Sequence, residues 1–173
     1  VDGSIYKQGS FTAPGGVHSV ENSGSGADAI FHLNGSDNVK LIGINNALLH
    51  SNPNLQASAP HTTAVVMTAN SDNNTVQGFE IANVWEGVAA HGWGIDNTLV
   101  KNNYIHDTVG RAVGSLLTNN FRAVHNLVEN AGGDSFDGDA YTRDAIGYEN
   151  VSSGAGRWAG FVEEGSQDSY VIR

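Results

Sequence analysis

Between residues 73 and 151 the chain repeats itself, and this repeat limits the possible folds more than any other feature. Asn73-Asn74-Thr75-Val76-Gln77-Gly78-Phe79-Glu80-Ile81 recurs as Asn97-Thr98-Leu99-Val100-Lys101-Asn102-Asn103-Tyr104-Ile105, with weaker copies at 121–128 and 144–151. The apolar markers Val76, Val100, Val124, Ile146 and Tyr170 follow at intervals of 24, 24, 22 and 24, and Leu41 opens the series 35 residues before Val76. A second apolar run precedes each copy, at 27–33, 62–68, 86–92, 111–117, 134–140 and 157–163. Both series lengthen at the same place. One repeat therefore carries an insertion between residues 50 and 61, where Pro53 and Pro60 lie. Self-similarity at such a period marks a stack of structural repeats, each burying its apolar face on the next.

A unit of 22–25 residues also suits a leucine-rich repeat, but that needs a regular Leu framework and helix-compatible segments. Here the apolar runs are short and β-branched, and Gly (22) and Asn (19) punctuate them, as strands and turns require. The pattern predicts an all-β parallel β-helix solenoid of about six coils spaced ~4.8 Å apart. It covers residues 27–173, after an irregular lead-in at 1–26. The run Asn97-Thr98-Leu99-Val100-Lys101-Asn102-Asn103-Tyr104-Ile105-His106-Asp107 resembles the right-handed parallel β-helix repeats of the pectin-lyase-like superfamily. That resemblance implies the fold, a polysaccharide as partner, and a secreted or cell-surface location. It does not select a chemistry, because enzymes, adhesins and binding proteins share the repeat.

Charge and composition exclude other classes. Eight Lys and Arg against 18 Asp and Glu give a formal charge of −10, which disfavours nucleic acid or an anionic membrane as partner. The absence of cysteine rules out disulfide frameworks, thiolate zinc and cysteine catalysis. No apolar run is long enough to cross a bilayer as a helix. The chain starts at Val1 without a signal-peptide pattern, and Tyr170-Val171-Ile172 reads as mid-strand, so both ends are expected to be cuts in something longer. Uncapped coils at such ends predict end-to-end self-association.

Alternation assigns faces. On the first strand, Ala29, Ala64, Val88, Val113, Phe136 and Ala159, followed by Phe31, Val66, Ala90, Ser115, Gly138 and Phe161, are expected inside. His32, Met67, His91, Leu116 and Asp139 then point outward, as do Ile30, Val65, Ala89, Gly114 and Asp137. Glu86, Arg111, Asp134 and Arg157 occupy one step of successive coils, predicting a ladder of alternating charge. On the second strand Val76, Val100, Val124 and Ile146 are expected inside, with Asn102 and Asn126 stacked as an amide ladder in the following turn. Asn83, Asp107 and Asn130 form a further polar column beside His106 and Glu129.

The densest acidic cluster is Asp134, Asp137 and Asp139, followed by Arg143 and Asp144. Asp137 and Asp139 share a face ~6–7 Å apart along the strand. This spacing suits a solvated turn, a Ca2+ site, or paired carboxylates on a glycan. His91 lies two coil steps, ~10 Å, from Asp139. Elimination from a uronate needs a base and a cation to neutralise the carboxylate, so the expected catalytic set is His91, Lys101, Arg111, Asp137 and Asp139. His32, Trp93, His125, Arg143 and Trp158 are the expected substrate contacts, with the two tryptophans as stacking platforms. Asp137 and Asp139 are the expected Ca2+ ligands. The functional expectation is a lyase-like enzyme acting on an acidic polysaccharide. The alternative is a non-catalytic surface, adhesive or fibre module.

Overall fold

Short runs bounded by Asn and Gly fold into short strands, and the described residues contain no helix. The computed structural model describes residues 11–12, 19–22, 29–51, 62–157, 159–160 and 170–172. In order the strands are β1 (Phe11–Thr12), β2 (Ser19–Asn22), β3 (Ala29–Asn34), β4 (Lys40–Ser51), β5 (Thr63–Thr68), β6 (Thr75–Ala82), β7 (Glu86–His91) and β8 (Leu99–Lys101). They continue with β9 (Tyr104–His106), β10 (Val113–Leu116), β11 (Arg122–Val124), β12 (Leu127–Glu129), β13 (Phe136–Asp139), β14 (Ile146–Tyr148), β15 (Val151–Ser153) and β16 (Tyr170–Ile172).

They form a parallel β-solenoid of about four turns. One sheet has five strands in the order β13-β10-β7-β5-β3. The other has eleven strands and two arms: β4, β6, β8, β11, β14 and β16 along the first, and β9, β12 and β15 along the second, which joins β6 at its C-terminal half. All these pairings are parallel except β1 with β2.

Three columns of left-handed backbone turn each coil. Asn73, Asn97, Asn120 and Asp144 stand before the first arm, Gly78, Asn102, His125 and Glu149 between the arms, and Asn83, Asp107 and Asn130 after the second, all at φ of 46–75°. Gly, Asn and Asp occupy this region at least cost, which gives the Asn and Gly excess a location. The outermost column also bonds along the stack. Asn97 donates to Asn73 (3.1 Å), Asn120 donates to Asn97 (2.6 Å), and Arg122 Nε donates to Asn120 Oδ1 (2.9 Å).

The core lies between the sheets. Val65, Val88, Val113 and Phe136 stack as one inward column, and Met67, Ala90, Ser115 and Gly138 as the next. One column shrinks along the axis while the other gains an aromatic ring, so the interior stays filled. The opposite wall is Val76, Val100 and Ala123, with Ile81, Ile105 and Val128 behind the bend. Burying each of these larger side chains contributes roughly 1.5–3 kcal/mol.

The bend between the arms is held from inside by amides. Asn103 Oδ1 accepts from Phe79 N (3.1 Å), and Asn103 Nδ2 donates to Asn126 Oδ1 (3.0 Å). Asn126 Nδ2 donates to Val100 O (2.9 Å) and Asn150 Oδ1 (3.0 Å), and Asn150 Nδ2 reaches Ala123 O (2.8 Å).

Several expectations are corrected. The solenoid has about four turns rather than six; the run at 157–163 lies mostly outside the described residues. In β5 the register is one residue off the expected one: Val65 rather than Val66 pairs with Phe31, and Met67 with Leu33, so Val65 and Met67 face the core; Ile30 on β3 is buried as well. The all-apolar stretch Ala64-Val65-Val66-Met67 offers no polar residue to mark a face. Val124 and Ile146 point outward, and Ala123 and Gly147 take the inward positions opposite Val100, because this coil is 23 rather than 24 residues long. Asn102 is exposed at the left-handed step, and the ladder belongs to Asn103, Asn126 and Asn150. The insertion, Phe161, Trp158 and most of the lead-in fall outside the described residues.

Replacing Asn126 with Ala removes the side-chain partner of Asn103 N, Asn103 Nδ2 and Val100 O on the preceding coil and one of the two bonds to Asn150 Oδ1 on the next. The expected loss is roughly 2–4 kcal/mol, at about 1–3 kcal/mol per orphaned group. Asn102→Gly, at an exposed left-handed position, is expected to stay within roughly 0.5 kcal/mol of the parent. Urea unfolding of both variants checks the assignment, and a reversed order would place the ladder at Asn102.

Candidate functional site

The outer face of the five-stranded sheet carries the densest set of titratable groups among the expected site residues. Two outward columns run across the coils: Ala89, Gly114 and Asp137, and then His91, Leu116 and Asp139. Glu86 and Arg111 stand at the start of their strands. Because Gly114 has no side chain, Arg111 lies flat over it, and a Cβ placed there would touch Cδ and Nε at 3.4 Å.

Lying flat lets Arg111 span three coils. Its Nε donates to Glu86 Oε1 (2.8 Å) on the coil before, Nη1 to Asp137 Oδ2 (2.8 Å) on the coil after, and Nη2 meets His91 Nε2 at 3.4 Å. The expected charge ladder is therefore redirected: Arg111 extends along the sheet to Asp137 instead of stopping at Asp134. Asp134 lies 3.7 Å from Arg157 Nη1, a long contact to a side chain that is 68% exposed and of little energetic weight.

Burial sets the protonation states. It lowers the His91 pKa, and Arg111 adds to the effect while Glu86 and Asp139 oppose it. The imidazole thus stays neutral at neutral pH, with Nε2 free to accept from the guanidinium. Burial also raises the Asp137 carboxyl above its ordinary value, and the bond from Arg111 offsets this in part. For Arg111 itself burial works against the charge, but its bonds to Asp137 and Glu86 outweigh it.

Corner length brings two aromatic rings to the rim of this cluster. From His91 to the left-handed Asn97 the chain takes six steps, from Leu116 to Asn120 four, and from Asp139 to Asp144 five. The longer outer corners carry Trp93 and Tyr141 across the short one. The two rings stack with centroids 6.4 Å apart and planes 26° apart, and they are 68% and 60% exposed. Leu117 (φ 60°) and Tyr141 (φ 63°) hold left-handed backbone that neither residue type adopts cheaply.

The structure thus brings His91, Arg111 and Asp137 into contact, with Asp139 and Trp93 alongside. Arg143 is exposed in the same corner as Tyr141. His32 shares the sheet face but lies on β3, two coils from β7, where it bonds Thr68 Oγ1 (2.9 Å). Lys101 and His125 belong to the other sheet, and His125 is held by Glu149 (2.6 Å). Trp158 lies outside the described residues.

The Asp137 and Asp139 pair is already engaged. Arg111 binds the first, and Asp139 Oδ1 accepts from Ala140 N (2.6 Å). Ca2+ takes about 6–8 oxygens, and among the described residues no three His, Cys, Asp or Glu side chains converge as a metal-ligand set. Both expected Ca2+ ligands therefore already have protein partners.

Tyr141 was missed because no periodicity marks a single residue added to a corner; the unequal coil lengths were its one trace in the sequence. No protein-family model matches this sequence, and neither does any curated protein or solved structure.

Arg111→Met keeps the apolar stem but strands Glu86 and Asp137. The expected cost near neutral pH is about 3–5 kcal/mol, shrinking in acid as Asp137 takes a proton. Urea unfolding across pH reads this, and a loss independent of pH would assign Arg111 a packing role alone. The His91 contribution also falls in acid. Its folded pKa lies below the ordinary ~6.5, so its contribution is complete above that value and lost as pH falls through the folded pKa. The stability of the parent relative to His91→Gln is expected to fall as pH drops below the ordinary ~6.5, and a difference independent of pH would remove the assignment.

Proposed function

We propose that this chain is a carbohydrate-active β-solenoid that lays an acidic polysaccharide across the outer face of its five-stranded sheet. One observation carries the reading: the exposed Trp93 and Tyr141 pair borders a partly buried His91, Arg111 and Asp137 network. Aromatic faces supply large apolar contact area, and the C–H faces of a pyranose ring pack on such a surface. A neutral imidazole beside a guanidinium is a proton acceptor next to a carboxylate-binding cation.

The chemistry this supports is elimination. A uronate carboxylate competes for Arg111, His91 Nε2 takes the proton alpha to it, a carbon–carbon double bond forms, and the glycosidic oxygen departs with a proton from water. Glu86, Asp134, Asp137 and Asp139 outnumber Arg111 on this face, so salt is expected to aid the approach of a polyanion by screening repulsion. Such a substrate implies a secreted or cell-surface protein.

The test is incubation with pectate, alginate and chondroitin, following both the ultraviolet absorbance of the new double bond and the release of reducing ends. His91→Gln is expected to lower kcat by about 10²–10⁴, while Trp93→Ala raises KM with little change in kcat. Reducing ends without the double bond would replace elimination with hydrolysis. No product from any substrate would remove the enzymatic reading and leave the non-catalytic module.

A further inference from the structure

The eleven-stranded sheet carries a separate feature that the glycan face does not use. At the bend between its arms lies an open pocket of about 230 Å³, lined by Phe79, Glu80, Asn102, Tyr104, His125 and Leu127, with Asn103 at its base. This is smaller than the ~300–1,000 Å³ of drug-sized sites and suits a single small group. Phe79 is buried beneath it. Glu80, Tyr104 and Leu127 form one outward column on successive coils.

The surroundings are acidic and aromatic together. Tyr104 donates its hydroxyl to Glu129 (2.6 Å), and its ring stacks on His106 with centroids 4.5 Å apart. His106 lies between Glu80 (3.2 Å) and Asp107 (2.8 Å), and His125 is 2.6 Å from Glu149. Glu80 lines the pocket, and Asp107, Glu129 and Glu149 lie outside its lining as partners of His106, Tyr104 and His125. Lys101 stands nearby on the first arm, one residue from Asn102, and does not line it. The local field is visible on Tyr104: its bond to Glu129, then burial, then the charges of Glu129, Glu80 and Asp107 push the phenol up to about 12.

We propose that this pocket binds an organic ammonium group, a primary amine carried on a body no larger than one sugar ring. Glu80 supplies the counter-charge at the mouth, and Tyr104 and Phe79 supply the aromatic lining that attracts cations. An anionic ligand would be repelled by Glu80 and the carboxylates beside it, whereas an ammonium adds a second counter-charge to the Glu80 carboxylate that His106 already bonds. The proposal is independent of the Trp93 face, which lies on the other sheet.

Calorimetric titration with glucosamine, N-acetylglucosamine and ethanolamine, at a pH that keeps the amines protonated, tests it. Saturable binding of glucosamine is expected, at least tenfold tighter than that of its N-acetyl form. Retention by ethanolamine would identify a free amine as the determinant, and tighter binding of glucosamine would add the sugar ring to it; both support the site. Glu80→Gln is expected to weaken glucosamine at least tenfold, and Trp93→Ala to leave it unchanged. Leu127→Glu, an added carboxylate on the exposed rim, is expected to tighten it several-fold, which keeps the test decisive should Glu80→Gln fail to fold. Equal affinity for the two sugars, unchanged affinity in Glu80→Gln or Leu127→Glu, sensitivity to Trp93→Ala, or no saturation would overturn the proposal.

Discussion

Each coil of this molecule turns by placing single residues in left-handed backbone, and the rest of the structure depends on those corners coinciding from coil to coil. Asn97 over Asn120, Asn102 over His125 and Asp107 over Asn130 repeat the same φ at the same step. Only then do the short strands between them meet in register, and only then do their inward side chains stack into columns. The amides do a second task once the corners coincide. Outside, Asn73, Asn97 and Asn120 bond one another in solvent; inside, Asn103, Asn126 and Asn150 satisfy backbone groups that water does not reach.

That dependence explains what the sequence disclosed and what it hid. The repeat around Asn97 and the paired lengthening of both series identified a parallel solenoid, and alternation placed Val88, Val113 and Phe136 inside. The register of β7, β10 and β13 was legible because His91, Ser115 and Asp137 break the apolar runs. In β5 nothing polar interrupts Ala64-Val65-Val66-Met67, so both phases fitted equally well. The shift from Val124 to Ala123 had a different origin: one residue lost from a coil moves every later position, and periodicity averaged over several coils hides it. Of the candidate site, His91, Arg111 and Asp137 could be anticipated as neighbours in the stack. The reach of Arg111 past Asp134 could not, because it depends on the bare surface at Gly114.

The two sheets handle the same acidic composition differently. On the five-stranded sheet one guanidinium gathers Glu86 and Asp137 beside a His91 that burial keeps neutral. At the bend of the other sheet, Glu80, Asp107, Glu129 and Glu149 are met by imidazoles and a phenol. A permanent charge organises the first surface, and the second rests on hydrogen bonds to imidazoles and a phenol. Unequal corners add a further distinction, lifting Trp93 and Tyr141 above the first surface without disturbing the coils beneath.

In a solenoid each coil touches only its neighbours, so fraying can proceed one coil at a time. Arg111 changes that rule locally. Its bonds cross two successive interfaces, so lifting away the coil that holds Asp137 also loosens the hold on Glu86. The opening of these three coils is therefore coupled through one side chain, and local unfolding that starts at either end is opposed where the titratable cluster sits.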